Sequence, residues 1–172
     1  LQNMDYPTPG RVRGRRLFPK GFMLQVGASG IYLPFVGEGH IDAALTPISE
    51  PFVLAHEMGH GYGFGDEGSC NFLGYLACLQ SEDPAVQYSG KLAYWRETAV
   101  LYRRLHPETY PEIRKSLPPG MVADLNTIYA VLRKYPGFFP TFSRLFYDSY
   151  LKSQGIQEGS VSYSRVVALV AA

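Results

Sequence analysis

The residues best equipped for chemistry lie in one run, Phe52 to Asn71, and within it His56-Glu57-Met58-Gly59-His60. Two histidines four apart on a helix stand one above the other, separated by about 6 Å of rise and roughly 40° of rotation. Both imidazoles can then reach one metal ion while a face stays open to water. Glu57 projects about 100° round the helix from His56, beside such a metal rather than onto it. A carboxylate there can take a proton from a water that the metal activates. HExxH on a helix is the zinc signature of metallopeptidases.

The flanking residues supply the helix that this motif needs. Thr46-Pro47 and Ser49-Glu50-Pro51 both offer a helix start, because Ser and Thr cap and proline fits the first turn. Val53, Leu54 and Met58 can face a core while the histidines face the site. Gly61, Gly63 and Gly65 break the helix. Asp66 or Glu67 opens a second helical run through Asn71, Phe72, Tyr75, Leu76 and Leu79.

Two carboxylates compete for the place of third ligand. Asp66 falls where zinc proteases of the metzincin type put theirs, usually a histidine. Glu67, with Asn71 one turn later, resembles the gluzincin arrangement, in which a glutamate from a following helix completes the site and a polar neighbour supports the histidines. Glu67 is preferred, with Asp66 in a supporting place. The gap between His60 and Glu67 is shorter than most gluzincins use.

Composition sets the frame. A chain of 172 residues, 46% apolar and 18% charged, is long enough to bury a core as a single domain. Its net charge of +1 gives no basis for binding nucleic acid or an acidic substrate. The one basic cluster, Arg11, Arg13, Arg15, Arg16 and Lys20, reads as a solvated arm. Cys70 and Cys78 are separated by about 12 Å of helical rise, too far for a disulfide, and read as small buried hydrophobes. No run approaches the ~20 apolar residues of a membrane span.

Along the chain, residues 1 to 16 read as an extended arm, and Phe18 to Gly27 is ambiguous between strand and helix. Gly30 to Asp42 reads as two β pieces around a Gly37-Glu38-Gly39 turn, with Pro34 marking an edge strand and His40 a turn histidine. Asp83-Pro84 starts a helix to about Leu105, with Val86, Leu92, Ala93, Ala99 and Val100 as core candidates. Pro107, Pro111, Pro118 and Pro119 confine a short helix. Met121, Val122, Leu125, Ile128, Tyr129 and Leu132 form an amphipathic stripe. Phe142 to Tyr150 marks another helix, and a last one begins near Ser162.

The run GASGIYLPFVGEGHIDAALTPISEPFVLAHEMGHGYGFGDEGSCNFLGYLAC and the ending YDSYLKSQGIQEGSVSYSRVV resemble a bacterial family of zinc-metallopeptidase-like proteins, domain of unknown function 3810. The likeness spans nearly the whole chain from about Leu17; Ser69-Cys70 departs from it, since an acidic residue and Ala are frequent there. It implies His56, His60 and Glu67 as metal ligands and Glu57 as the catalytic residue, with Asn71 beside them. It also implies membrane helices ahead of this domain, so that the chain would be a soluble portion of a protein anchored in the bacterial inner membrane. The arginines would favour its cytoplasmic side.

The expected fold is α+β, mainly α: a zincin-like HExxH helix, a small antiparallel β element and several C-terminal helices. The expected function is a Zn2+-dependent peptidase acting on peptide or protein substrates; the rivals are a metal-binding sensor or scaffold with little turnover, and a metal-free helical interaction domain. Tyr147, Tyr150, Tyr163 and His106 have the right chemistry to stabilise an oxyanion. Ile31 to Val36 is the expected cleft wall, with Tyr32, Leu33 and Phe35 touching substrate; an inner strand packed on Val53 and Leu54 is the competing role.

Overall fold

The computed structural model describes residue 8 and residues 10–137. In chain order the elements are β1 (Arg13–Leu17), α1 (Phe22–Gln25), β2 (Gly30–Leu33), β3 (Glu38–Asp42), α2 (Glu50–Gly61), α3 (Glu67–Leu79), α4 (Pro84–Leu105), α5 (Tyr110–Lys115) and α6 (Pro119–Lys134). The architecture is α+β and mainly helical, with one small sheet. The helices expected near Phe142 and Ser162 lie outside the described residues. Among the described residues, no helix is long and apolar enough to cross a membrane.

The sheet is mixed rather than antiparallel, with strand order β1-β3-β2. β2 runs antiparallel to β3, but β1 runs parallel to it, Arg13 opposite Glu38 and Leu17 opposite Asp42. The arginine-rich stretch is therefore a paired strand and not a free arm. Its side chains stay exposed while its backbone is satisfied, and Arg15 and Arg16 meet Glu38 and Glu50. The turn between β2 and β3 spans Pro34 to Gly37, so Glu38 and Gly39 belong to β3. Gly37, at φ 66°, takes the left-handed position. His40 is consequently a strand residue opposite Ile31, not a turn histidine. Phe18 to Gly27 resolves into the single turn of α1.

α2 lies between the sheet and α3, and α4 packs across α3 and α2. Two apolar clusters hold these layers. Leu24, Ile41 and Leu45 pack with Val53, Leu54 and Tyr135 on the sheet side. Leu92, Leu125 and Ile128 pack with Tyr88, Trp95 and Met121 on the helical side, and Leu132 of α6 joins both clusters. Val100, expected in the core, is 42% exposed, in the last two turns of α4.

Ser49 occupies the N-cap position of α2 in helical rather than extended backbone geometry, and its side chain makes no capping bond. Its hydroxyl pairs instead with Thr46 at 2.9 Å. The Phe52 N–H is satisfied from another helix, by Ser89 Oγ of α4 at 3.2 Å. The start of α2 is thus fixed by tertiary structure.

Asp42 performs the corresponding task for α1. Fully buried, its carboxylate accepts hydrogen bonds from the backbone N–H groups of Gly21, Met23, Leu24 and Ala44 at 2.7–3.1 Å. Removing it would strand several donors at once. Asp42→Ala should therefore cost about 3 kcal/mol or more of stability, read as a lowered urea midpoint at constant m-value. A loss within about 0.5 kcal/mol would show that α1 is held by Leu24 packing alone.

Candidate metal centre

The two histidines sit in the last two turns of α2, their rings 4.9 Å apart and nearly perpendicular at 80°. The chain leaves α2 through Tyr62 and Gly63, whose φ of 97° reverses its direction. Asp66 then caps α3, its Oδ2 accepting from Ser69 N–H at 2.8 Å and Ser69 Oγ–H at 2.9 Å. This places Glu67 in the first residue of α3, aimed back at the histidines. His56 Nε2 lies 3.1 Å from Glu67 Oε2, and His60 Nε2 lies 3.5 Å from Glu67 Oε1.

The other ring nitrogens are spoken for. His56 Nδ1 donates to Asn71 Oδ1 at 2.8 Å, and His60 Nδ1 donates to the Phe64 carbonyl at 2.8 Å. Both acceptors are oxygens, so each neutral ring carries its hydrogen on Nδ1 and turns a bare Nε2 to the centre. The Glu67 carboxylate is 1% exposed, and neither of its oxygens has a hydrogen-bond partner among the described residues. Two lone-pair nitrogens and an acceptor-only carboxylate thus converge with nothing between them to donate. Only a cation satisfies such a trio.

His56, His60 and Glu67 could hold a metal ion, with one ligand atom from each, all within 4.8 Å of one another. Ligands at about 2.0–2.1 Å in a tetrahedron stand roughly 3.3 Å apart, a value that the two histidine–glutamate distances bracket. Without a metal, a proton takes the place. Burial disfavours charge on His60, but Cys70 and Glu67 outweigh it and push its pKa up to about 11. Burial likewise opposes charge on Glu67, yet the two histidines hold its carboxyl well below the usual carboxylate range.

Of the two candidate third ligands, the structure brings Glu67 to the histidines and commits Asp66 to the start of α3. Asn71 occupies the supporting position expected of it. Cys70 does more than fill space: its Sγ lies 3.2 Å from the Phe64 carbonyl and 3.4 Å from His60 Nδ1, bracing the same ring. His40 stands apart from the trio, facing Glu38 at 3.6 Å. His106 is exposed at the end of α4, stacked on Tyr102, and is not part of the cavity wall. Tyr147, Tyr150 and Tyr163 lie outside the described residues.

The trio opens into a cavity of about 510 Å³, walled by α1, the segment through β2, α2, α3 and α4. Glu57 lines the same cavity but is not one of the converging ligands. It lies against the sheet backbone, where a Cβ on Gly30 would sit 2.7 Å from its Oε1 and one on Gly39 2.9 Å from its Cβ. The two glycines make the room that its side chain occupies.

The family model for the protein of unknown function DUF3810 matches residues 2–171. The chain belongs to the DUF3810 family. No curated protein and no solved structure matches it.

Arg96 and Glu97 of α4 also line the cavity, and sequence reading passed over both. A signal was present. They follow Leu92 and Ala93 by four on the face turned to the interior, where charged residues are rarely placed without a task.

Two expectations test the trio. Glu67→Gln should weaken zinc binding severely, while Asp66→Asn, which keeps a capping oxygen, should leave both zinc binding and stability near wild type. The reverse ranking would make Asp66 the ligand. Because a metal must displace the His60 proton, apparent zinc affinity should rise with pH below about 11. The slope should approach tenfold per unit for one proton released. Calorimetry in buffers of differing ionisation enthalpy measures that proton directly, and a zero count would contradict the arrangement.

Proposed function

We infer that this chain is a zinc-dependent peptidase, with His56, His60 and Glu67 as metal ligands and Glu57 as general base. The observation that supports this reading most is the convergence of two imidazole nitrogens and a buried carboxylate beside a separate buried carboxylate, in the wall of a cavity of ligand-binding size. Two imidazoles and one carboxylate suit zinc with an open coordination position. When bound, zinc would polarise a scissile carbonyl and bring the proton of a water within reach of a base near neutral pH.

The protein's own groups supply the rest. Burial pushes the Glu57 carboxyl above its ordinary range, with His56 and His60 pulling the other way. A carboxylate raised in this manner accepts a proton from the attacking water more readily and can pass it to the leaving amine. Asn71 and the Phe64 carbonyl fix both histidine tautomers, so the ligand atoms need no rearrangement.

β2 provides a rail for an extended peptide. It is an edge strand, and Ser29 C=O accepts from Asp42 N–H. Alternation along an antiparallel strand then turns the backbone groups of Ile31 and Leu33 toward β3 and those of Gly30 and Tyr32 outward. Gly30, Ile31 and Tyr32 line the cavity. Leu33 and Phe35 do not; Phe35, in the turn, is fully exposed. Main-chain pairing on Gly30 and Tyr32 would hold substrate with little regard for its sequence.

Glu57→Gln separates binding from chemistry. It should retain zinc by elemental analysis while hydrolysis of a mixed peptide library falls by about 10² or more. Undiminished turnover would remove Glu57 as the base, and a protein that keeps zinc but cleaves nothing even as wild type would favour a sensor. Tyr32→Pro deletes an outward donor and spares the β3 ladder, so kcat/KM should drop about fivefold, as for one lost hydrogen bond, at unchanged zinc content. No change would mean that peptide lies elsewhere.

A further inference from the structure

Among the described residues, the cavity wall carries one cation that neither the metal trio nor the proposed general base employs. Arg96 reaches its wall from α4. Its Nε is shut away from solvent and has no hydrogen-bond partner among the described residues, and no ion pair there involves its guanidinium. The guanidinium carbon lies 5.7 Å from the centre of the Tyr129 ring, a cation–π contact that positions the group without neutralising it.

The carboxylates nearby are poor counter-ions. Glu67 is committed to the two histidines, and Glu57 is packed against the sheet backbone. Glu97 adjoins Arg96 in sequence, but burial pushes its carboxyl toward the neutral form more than Arg96 and His56 draw it back. A guanidinium cannot shed its proton to escape burial. A half-buried guanidinium in a cleft whose Nε lacks a partner favours an anion, and a carboxylate can meet it with two parallel bonds.

We propose that Arg96 is the specificity-determining residue of this cavity, binding a carboxylate carried by the substrate, either a free peptide C-terminus or an Asp or Glu side chain. The substrate class follows from the peptidase reading, which the proposal deepens. Phe22, Val26, Ile31 and Phe52 line the same space. They suit an apolar side chain alongside the charge.

The test is equilibrium binding to the zinc-loaded chain carrying Glu57→Gln, so that peptides survive. Three N-acetylated probes serve: Ala-Ala-Phe-Ala as the free acid, the same peptide as its C-terminal amide, and Ala-Ala-Phe-Glu as its amide. At least one carboxylate-bearing probe should bind about tenfold tighter than the neutral amide, and which one identifies the source of the carboxylate. Arg96→Met keeps an unbranched apolar stem without the guanidinium and should bring the ratio to about one, with zinc content unchanged. If that variant loses zinc or fails to fold, Arg96→Lys, which keeps charge but not the fork, should still cut the preference at least about threefold. Equal binding of all three probes, or a preference that survives these substitutions, overturns the proposal. An Arg96-dependent preference in a chain whose Glu57 form hydrolyses none of the probes upholds carboxylate recognition and removes the peptidase reading instead.

Discussion

Everything at this site depends on how closely α2 and α3 approach. The contact is made by small residues: a Cβ on Gly59 would sit 3.2 Å from Cys70 Sγ, and one on Gly74 would sit 3.2 Å from the backbone nitrogen of His56. Side chains at either position would drive the helices apart, and interiors at close-packed density yield little. A shift of an ångström would lift Glu67 out of reach of two imidazoles that it now meets at 3.1 and 3.5 Å. The ligand geometry is thus a property of glycines that bind nothing. Gly90 extends the pattern, meeting Cys78 where α4 packs on α3.

That closeness carries an energetic burden. A carboxylate 1% exposed is expensive unless paired, since desolvation of an ion costs several kcal/mol even after relaxation. Glu67 raises the proton affinity of His60, so a proton shared there would offset part of this, and a divalent cation would offset more. A metal ion held there would link stability to metal content through the same atoms, and would itself help to hold the helix contact that builds the site.

Much of this was legible locally. The spacing of His56 and His60, the glycines after them, the Asp83-Pro84 start of α4 and the proline-bounded α5 all follow from interactions within a few residues. What escaped was nonlocal. β1 looks like a solvated arm because its arginine side chains are in fact solvated; only its backbone belongs to the fold, and backbone pairing leaves no mark on side-chain pattern. The β2–β3 turn was displaced because Gly37 and Gly39 both suit a turn, whereas Gly39 is a strand residue kept small by Glu57. Ser49 is a capping candidate for α2, yet it makes no capping bond, and Ser89 of α4 satisfies the Phe52 N–H. In each case a long-range partner outranked a correct local preference.

Glu57 shows how the two levels combine. Its position beside His56 is fixed by helix geometry, yet what raises its proton affinity is the sheet laid over it. Gly30 and Gly39 face it from neighbouring strands, and any larger residue would occupy the volume of its side chain. The absence of two side chains therefore lets the backbone of β2 and β3 close over the carboxylate and exclude water, which is the physical cause of its raised proton affinity. The same strand presents its outer edge to the cavity. Under the peptidase reading, one piece of backbone would tune Glu57 with one aspect and align a peptide with another, so that a chain in register along Gly30 and Tyr32 would lie beside that carboxylate.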